Sequence, residues 1–411
     1  MKGLIMKLKI YSLIMFLNSF LTGILAPVLS LVLLDKGAGL SNLSIVLGLY
    51  AFTVIVLELP TGIIADVYGR KKSFCLSIVI SLLSVVIILF SKSFIFLCAG
   101  MIFYGLSRAL SSGSFDAMFI DHYIDNYGKD KLHNITTRLS VLEALGMSAG
   151  ALSGGFLPQV SNTYFPSLGM YDLNLVIRIL FTATVAILAY AFIQEDRSYE
   201  KEERITLKQH IKNSSMIVTK NSTIICIFIS VFATGFFLSA LETYWQPHFI
   251  TLLPDKNSMG LLGLMSFLYF AAATLGSISS NKMIKKYKFN IKKMYVILRT
   301  LLAVSLILTA LQTNVPVFIG LYAVIYLMFG MAMVPEGAIL NKEIPNEVRA
   351  SVLSVNSLSM QVGGLSGSLL YSILINYITI PKIWIVAASV VLITVLITSK
   401  KLLFNTSSET A

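Results

Sequence analysis

Long apolar runs separated by short polar breaks organise the whole chain. Read against that punctuation, the sequence predicts twelve helices, at 8–34, 43–66, 74–91, 93–117, 136–157, 173–194, 221–249, 259–282, 294–312, 316–340, 349–377 and 381–399. Crossing a bilayer takes ~20 apolar residues, and runs of this length supply them twelve times over. The expected fold class is an all-α membrane protein with twelve transmembrane helices.

Composition supports lipid as the solvent. Hydrophobic residues make up 56% and charged residues 13% of 411 positions, with mean hydropathy +0.81. A soluble domain carries about 25% charged residues. The apolar N-terminal run resembles a leader but continues to Leu34 without a small-residue cleavage site, so it reads as the first span.

The net charge is +12, and its placement is topological. With both termini in the cytoplasm, Lys2, Lys7, Lys9, Arg70, Lys71, Lys72, Lys129, Lys131, Arg138, the basic residues of 197–220 and 282–293, Lys342, Arg349, Lys400 and Lys401 all fall inside. Only Lys36, Lys92, Lys256 and Lys382 fall outside. That asymmetry is the positive-inside pattern. No basic domain with interleaved aromatics is present, which argues against a nucleic-acid partner.

Other chemistries find little support. Cys75, Cys98 and Cys226 lie in apolar runs with no metal spacing, and the four His residues form none either. No nucleotide-binding loop or catalytic triad is legible, so neither a metal, an ATP-driven cycle nor an enzyme is expected.

Residues 195–219 form the one long charged stretch, read as a cytoplasmic linker between six-helix bundles at 1–194 and 220–399. Residues 400–411 follow as a cytoplasmic tail. An offset of 214 carries Gly62 to Gly276, Ser140 to Ser354 and Gly150 to Gly364, and LSVLEALGMSAGALSGGFL is similar to LSVNSLSMQVGGLSGSLL. Two pseudo-symmetric bundles with a central site between them fit that repeat.

The break GIIADVYGRKK carries Gly62, Ala65, Asp66, Gly69, Arg70 and Lys71. It resembles motif A of the major facilitator superfamily, although position 67 is Val where that family has a basic residue. GMSAGALSGG in the fifth span, with Gly146, Gly150, Gly154 and Gly155, resembles the motif C of proton-coupled antiporters, with Ala151 in place of its Pro. Arg108 in GLSRALSSG is similar to motif B. The resemblance covers the whole chain and points to small bacterial efflux-type facilitators. It implies that Asp66 latches the two halves on the cytoplasmic side against the eleventh helix, where Arg349 is a partner. It also implies that Arg70 pairs with Asp116 or Asp121. Gly62 and Gly69 would permit close helix approach and a tight turn. The fifth-span glycines would pack helices closely enough to resist leak.

Ionisable residues inside spans are costly and usually functional. Glu58, Arg108 and Glu143 fall at similar depth in the inner half of the bilayer. Two acids around one Arg leave one carboxylate under-compensated, so this trio is the expected proton-coupling group, with Glu58 the favoured carrier. Glu242 near the outer end of the seventh span is a candidate contact for a cationic substrate. Tyr244, Trp245 and His248 beside it fit an interfacial aromatic belt. Arg178 and Arg299 are expected to snorkel, and Glu336 to shape a gate. Asn18, Asn356 and Gln361 are candidate substrate contacts because the resemblance places the first and eleventh spans at the cavity.

The expectation is therefore a secondary transporter of the bacterial cytoplasmic membrane, driven by the proton gradient without another cofactor and working as a monomer. It would export an amphipathic, drug-like small molecule, with antibiotic resistance as a consequence. Uptake symport of a metabolite and lipid or glycolipid flipping on the same fold are the alternatives.

Overall fold

The computed structural model describes residues 2–111, 114–115, 118–120, 123, 132–193, 221–287, 289–344 and 349–404. Among them are twelve long helices: α1 Lys2–Leu25, α2 Leu40–Tyr68, α3 Arg70–Phe90, α4 Phe94–Ser111, α5 Leu132–Tyr164, α6 Asp172–Phe192, α7 Ser222–Leu252, α8 Gly260–Tyr287, α9 Ile291–Ala310, α10 Val315–Glu343, α11 Arg349–Leu374 and α12 Ile380–Phe404. Eleven are long and apolar enough to cross a membrane by length and composition. The twelfth, α11, is 26 residues long. Its serines, glycines and amides dilute its hydropathy, so packing against α7 identifies it better than apolarity does.

The hydropathy pattern placed every long helix, with one correction. The first apolar run is not continuous. α1 stops at Leu25, and a separate short helix covers Leu29–Asp35. Pro27 sits in the break, where it has no N–H to donate and its ring opposes a continuing helix. Reverse-turn bonds from Ala26 N to Gly23 O and from Val28 N to Leu25 O close the corner at 3.1 and 3.0 Å.

The chain divides into two compact units, residues 1–200 with 253–267, and residues 201–252 with 268–411. The expected linker at 195–219 lies outside the described residues. In the first unit α1 packs on α5 and α6, α3 on α4 and α6, and α2 on α4. In the second, α7 packs on α11 and α12, and α9 on α10 and α12. Four of the five pairings in the first unit recur in the second with each helix advanced by six, which is the internal repeat seen as packing.

Each unit has its own core. Tyr11, Ile14, Phe74, Ile78, Phe115, Phe119 and Val185 cluster in the first, with Phe74 and Phe115 rings 4.7 Å apart. Ile224, Ile227, Tyr295, Ile339, Val352 and Leu402 cluster in the second. Lipid tails are as apolar as leucine, so small polar side chains add adhesion between helices. Ser84 Oγ donates to the Gly100 carbonyl at 2.8 Å and Ser107 Oγ to the Ser77 carbonyl at 2.8 Å, stapling α3 to α4.

The repeat is sharpest at two glycine seams. A Cβ on Gly146 would lie 2.5 Å from the Phe16 carbonyl oxygen, and one on Gly150 or Gly154 would run into the carbonyls of Phe20 and Ile24. Thus α1 and α5 touch backbone to backbone. In the second unit Gly235 meets the Met360 carbonyl and Gly363 the Phe232 carbonyl, bringing α7 and α11 together in the same way. Gly155 reaches beyond the seam. It packs on Gly263 of α8 inside the first unit.

Candidate functional site

The α2–α3 turn owes its form to Gly69. Its φ of 104° is a conformation that a side chain resists, and its N–H closes α2 on the Ala65 carbonyl at 3.0 Å. Gly62 behaves otherwise: a Cβ there would meet nothing within 4 Å among the described residues. The turn at Gly69 is the tight one expected. Arg70 opens α3 and is half-buried. Lys71 does more than mark topology. Its Nζ donates to the Tyr190 carbonyl at 3.2 Å and lies 5.7 Å from the Tyr190 ring centroid. It thereby satisfies a carbonyl in the last turn of α6, where a cation also suits the helix dipole. The side chains of Asp66 and Arg349, and residues Asp116 and Asp121 altogether, lie outside the described residues.

Glu58 on α2 and Arg108 on α4 stand at one level of a direct helix contact. Thr61 Oγ1 lies 3.1 Å from the Glu58 carbonyl and 2.9 Å from the Ala109 carbonyl, so a single hydroxyl joins the turn of Glu58 to the residue after Arg108. Further along the pair, a Cβ on Gly105 would press on Thr53 and the Tyr50 carbonyl. Glu58 and Arg108 both keep open surface, and Glu143 on α5 is half-buried. A charge exposed inside a membrane segment costs about 2.5–3.5 kcal/mol against lipid. Lining a watered route removes that cost.

The most desolvated charges were read differently from sequence. Arg299 on α9 is 1% exposed and Glu336 on α10 is 6% exposed, and the two are ion-paired. Tyr295 donates to Ser230 Oγ at 2.9 Å and to Glu336 Oε2 at 3.4 Å, and Asn356 Nδ2 donates to Glu336 Oε1 at 3.3 Å. Side chains from α9 and α11 thus meet at the α10 carboxylate, and Tyr295 links it onward to Ser230 of α7. Arg178 is likewise internal, 3% exposed, donating to the Leu21 carbonyl at 2.6 Å and to Tyr104 Oη at 3.0 Å. Neither arginine snorkels, because each finds acceptors inside its own unit. Depth could have paired Arg299 with Glu336. One lies eight residues after Ile291 and the other seven before Glu343, ~12 and ~11 Å along adjoining helices.

Asn356 is therefore engaged by Glu336. Gln361 Nε2 reaches Ser357 Oγ at 3.3 Å along its own helix, and Asn18 is half-buried on α1. The aromatic belt is also corrected. Tyr244 and Trp245 are buried, 0% and 4% exposed. α7 continues to Leu252, and Trp245 packs on Tyr322 with centroids 5.2 Å apart.

At the start of α6, Lys36 pairs with Asp172 at 2.5 Å. Burial pushes the neighbouring Asp35 carboxyl above its usual range, with Lys36 opposing and Asp172 adding to the shift.

A family model described as Major Facilitator Superfamily matches residues 11–254 and, overlapping them, 223–408. The chain is 24% identical over 385 residues to the uncharacterized MFS-type transporter YxaM of Bacillus subtilis (strain 168), covering 93% of this chain and 92% of that protein. Its fold is similar to that of the nucleoside transporter NupG, at TM-score 0.78 and 13% identity over 97% of this chain and 99% of that one. It is also similar to a bacterial homolog of the human lysosomal transporter Spinster in an inward-facing, occupied conformation, at TM-score 0.74 and 14% identity over 98% and 96%. These likenesses are of fold.

Proposed function

Because the chain belongs to the major facilitator superfamily, we propose that this multi-pass membrane transporter is a proton-coupled antiporter exporting a small amphipathic molecule by alternating access. One observation carries the coupling. Glu58 and Arg108 are opposite charges on helices in direct contact, at one level, both open to the surface. A carboxylate on a watered route can exchange a proton with either side as the transporter alternates. Glu143 on α5 is the second acid of the group. Proton and cargo compete, and their alternate binding biases inward-open and outward-open states. With both termini cytoplasmic, Glu58 lies in the inner half of the bilayer of a bacterial plasma membrane.

Everted vesicles with an imposed pH gradient test the coupling. Adding cargo should collapse the gradient with the parent protein, and Glu58→Gln should abolish that collapse while leaving the amount of inserted protein unchanged. Parental proton movement in Glu58→Gln would remove Glu58 from the mechanism. Cargo accumulating in intact cells would indicate uptake instead.

Asp66, in the motif A turn, is the proposed latch between states, with Arg349 as its partner and Arg70 held by Asp116 or Asp121. Coupling terms of this kind change rates or affinities on the order of 10-fold. Asp66→Asn should slow cargo movement by about that factor, and a parental rate would discard the latch.

A further inference from the structure

Two prolines leave the outer ends of α1 and α5 short of backbone donors. Pro158 lies inside α5 and has no N–H, so the Gly154 carbonyl four residues earlier loses its helical partner. α1 stops at Leu25, two residues before Pro27. Val28 N, which would serve Ile24 in a continuing helix, goes to the Leu25 carbonyl instead. Such breaks are tolerated in membrane helices because neighbours supply the missing bonds.

One side chain of α6 serves both gaps. Asn174 Nδ2 donates to the Gly154 carbonyl at 2.8 Å and to the Ile24 carbonyl at 3.2 Å, using both hydrogens of a single amide. The glycine seam makes this possible. A Cβ on Gly154 would run into the Ile24 carbonyl, so the two broken turns touch. Asn174 is 0% exposed, and its Oδ1 has no hydrogen-bond partner among the described residues. A site that needed only volume would take leucine and avoid that orphan oxygen. The amide is there for its donors.

The same stretch of α6 holds α1 twice more. Arg178, one turn on and on the same face, donates to the Leu21 carbonyl at 2.6 Å, where a cation suits the carbonyl end of α1. Asp172 pairs with Lys36, the residue after the short helix Leu29–Asp35. It also accepts from Gly169 N at 3.1 Å in the turn that leads from α5. The start of α6 thus grips α1 on both sides of its break and α5 at its proline, all within the first unit. Prolines are where helices bend. We propose that the start of α6 is a splint: Asn174, aided by Arg178 and Asp172, replaces the bonds that the two prolines remove and makes the outer ends of α1, α5 and α6 one rigid body. Rocking of one bundle against the other relies on such rigidity, since helices that bent at their prolines would open one end without moving the other. The splint acts whatever the cargo or driving ion, so it stands or falls apart from the antiport reading.

Amide hydrogen exchange of the purified full chain in detergent, resolved by segment, tests it. Asn174→Leu keeps the site filled and removes both donors. Exchange should quicken by on the order of 10- to 100-fold in 22–36 and 155–164, the size expected for lost buried hydrogen bonds, while α3 exchanges as in the parent. Pro158→Ala returns a backbone donor to the Gly154 carbonyl. Added to Asn174→Leu, it should restore parental exchange at 155–164 and leave 22–36 fast. Lys36→Met, a change near the surface, should quicken 29–36 and leave 155–164 unchanged. Parental exchange in Asn174→Leu, faster exchange spread equally into α3, or a gain at 155–164 that Pro158→Ala does not reverse would each overturn the splint. Should Asn174→Leu fail to elute as a monodisperse species, Lys36→Met decides: unchanged exchange at 29–36 overturns the splint, and faster exchange confined to that segment supports it.

Discussion

An Arg299→Met protein is expected to lose about 3–5 kcal/mol of stability, because the change strands a carboxylate in the interior. Among the described residues Glu336 would keep Tyr295 and Asn356 as donors, at 3.4 and 3.3 Å. Glu336→Leu should be comparably damaging, since it leaves the Arg299 charge uncompensated. The double variant Arg299→Met with Glu336→Leu should recover most of the loss, as buried ion pairs often exchange for apolar groups at little net cost. Mixed-micelle denaturation of the three variants reads the cycle directly. Single variants within about 1 kcal/mol of the parent would show that the pair does not hold α9 to α10. Recovery of stability without recovery of transport would assign the pair a role in the cycle beyond packing.

Gly150→Ala is expected to be strongly destabilising. Its Cβ would run into the Phe20 carbonyl oxygen and lie 3.0 Å from Gly23 Cα and the Ile24 nitrogen. All three are backbone atoms, so no side chain can turn aside, and α1 must move away from α5. Overpacking costs typically 1–3 kcal/mol when side chains can adjust. A loss of at least about 3 kcal/mol is expected here, with transport falling in step. Gly235→Ala should do the same at the α7–α11 seam, where the Met360 carbonyl stands in the way. Gly320→Ala, with nothing within 4 Å of the new Cβ, is the matched control and should stay within about 0.5 kcal/mol of the parent. Parental behaviour of Gly150→Ala would mean that the seam does not need direct backbone contact.

The second seam also bears on what the fifth-span glycines mean. They resemble an antiporter motif, yet Gly235, Gly363 and Gly364 build the same contact where no such motif is read. Backbone contact between α1 and α5 is therefore a property of the repeat. The proposed coupling rests on Glu58 and Arg108, not on those glycines.

Depth along each helix is legible in the sequence. It set Glu58 level with Arg108, and the Thr61 hydroxyl bond to Ala109 agrees. Arg299 and Glu336 lie near span ends, which in the sequence reads as snorkelling and gate lining, whereas packing hides both. Tyr244 and Trp245 looked interfacial because α7 was expected to end at 249, whereas the helix runs to Leu252 and turns both rings inward. Asn356 looked free for substrate because a sequence does not show that Glu336, twenty residues away, accepts its amide.

Taken by itself, the sequence determined where each long helix lies, that the solvent is lipid, and that the chain is built twice over. Those properties follow from hydropathy, from where basic residues fall and from recurring glycines, all of which act locally along the chain. Only the tertiary structure decided which charges are hidden and which polar groups already have partners. A side chain's partners on neighbouring helices depend on rotation about each helix axis, and packing fixes that angle across distances in sequence that no local pattern spans.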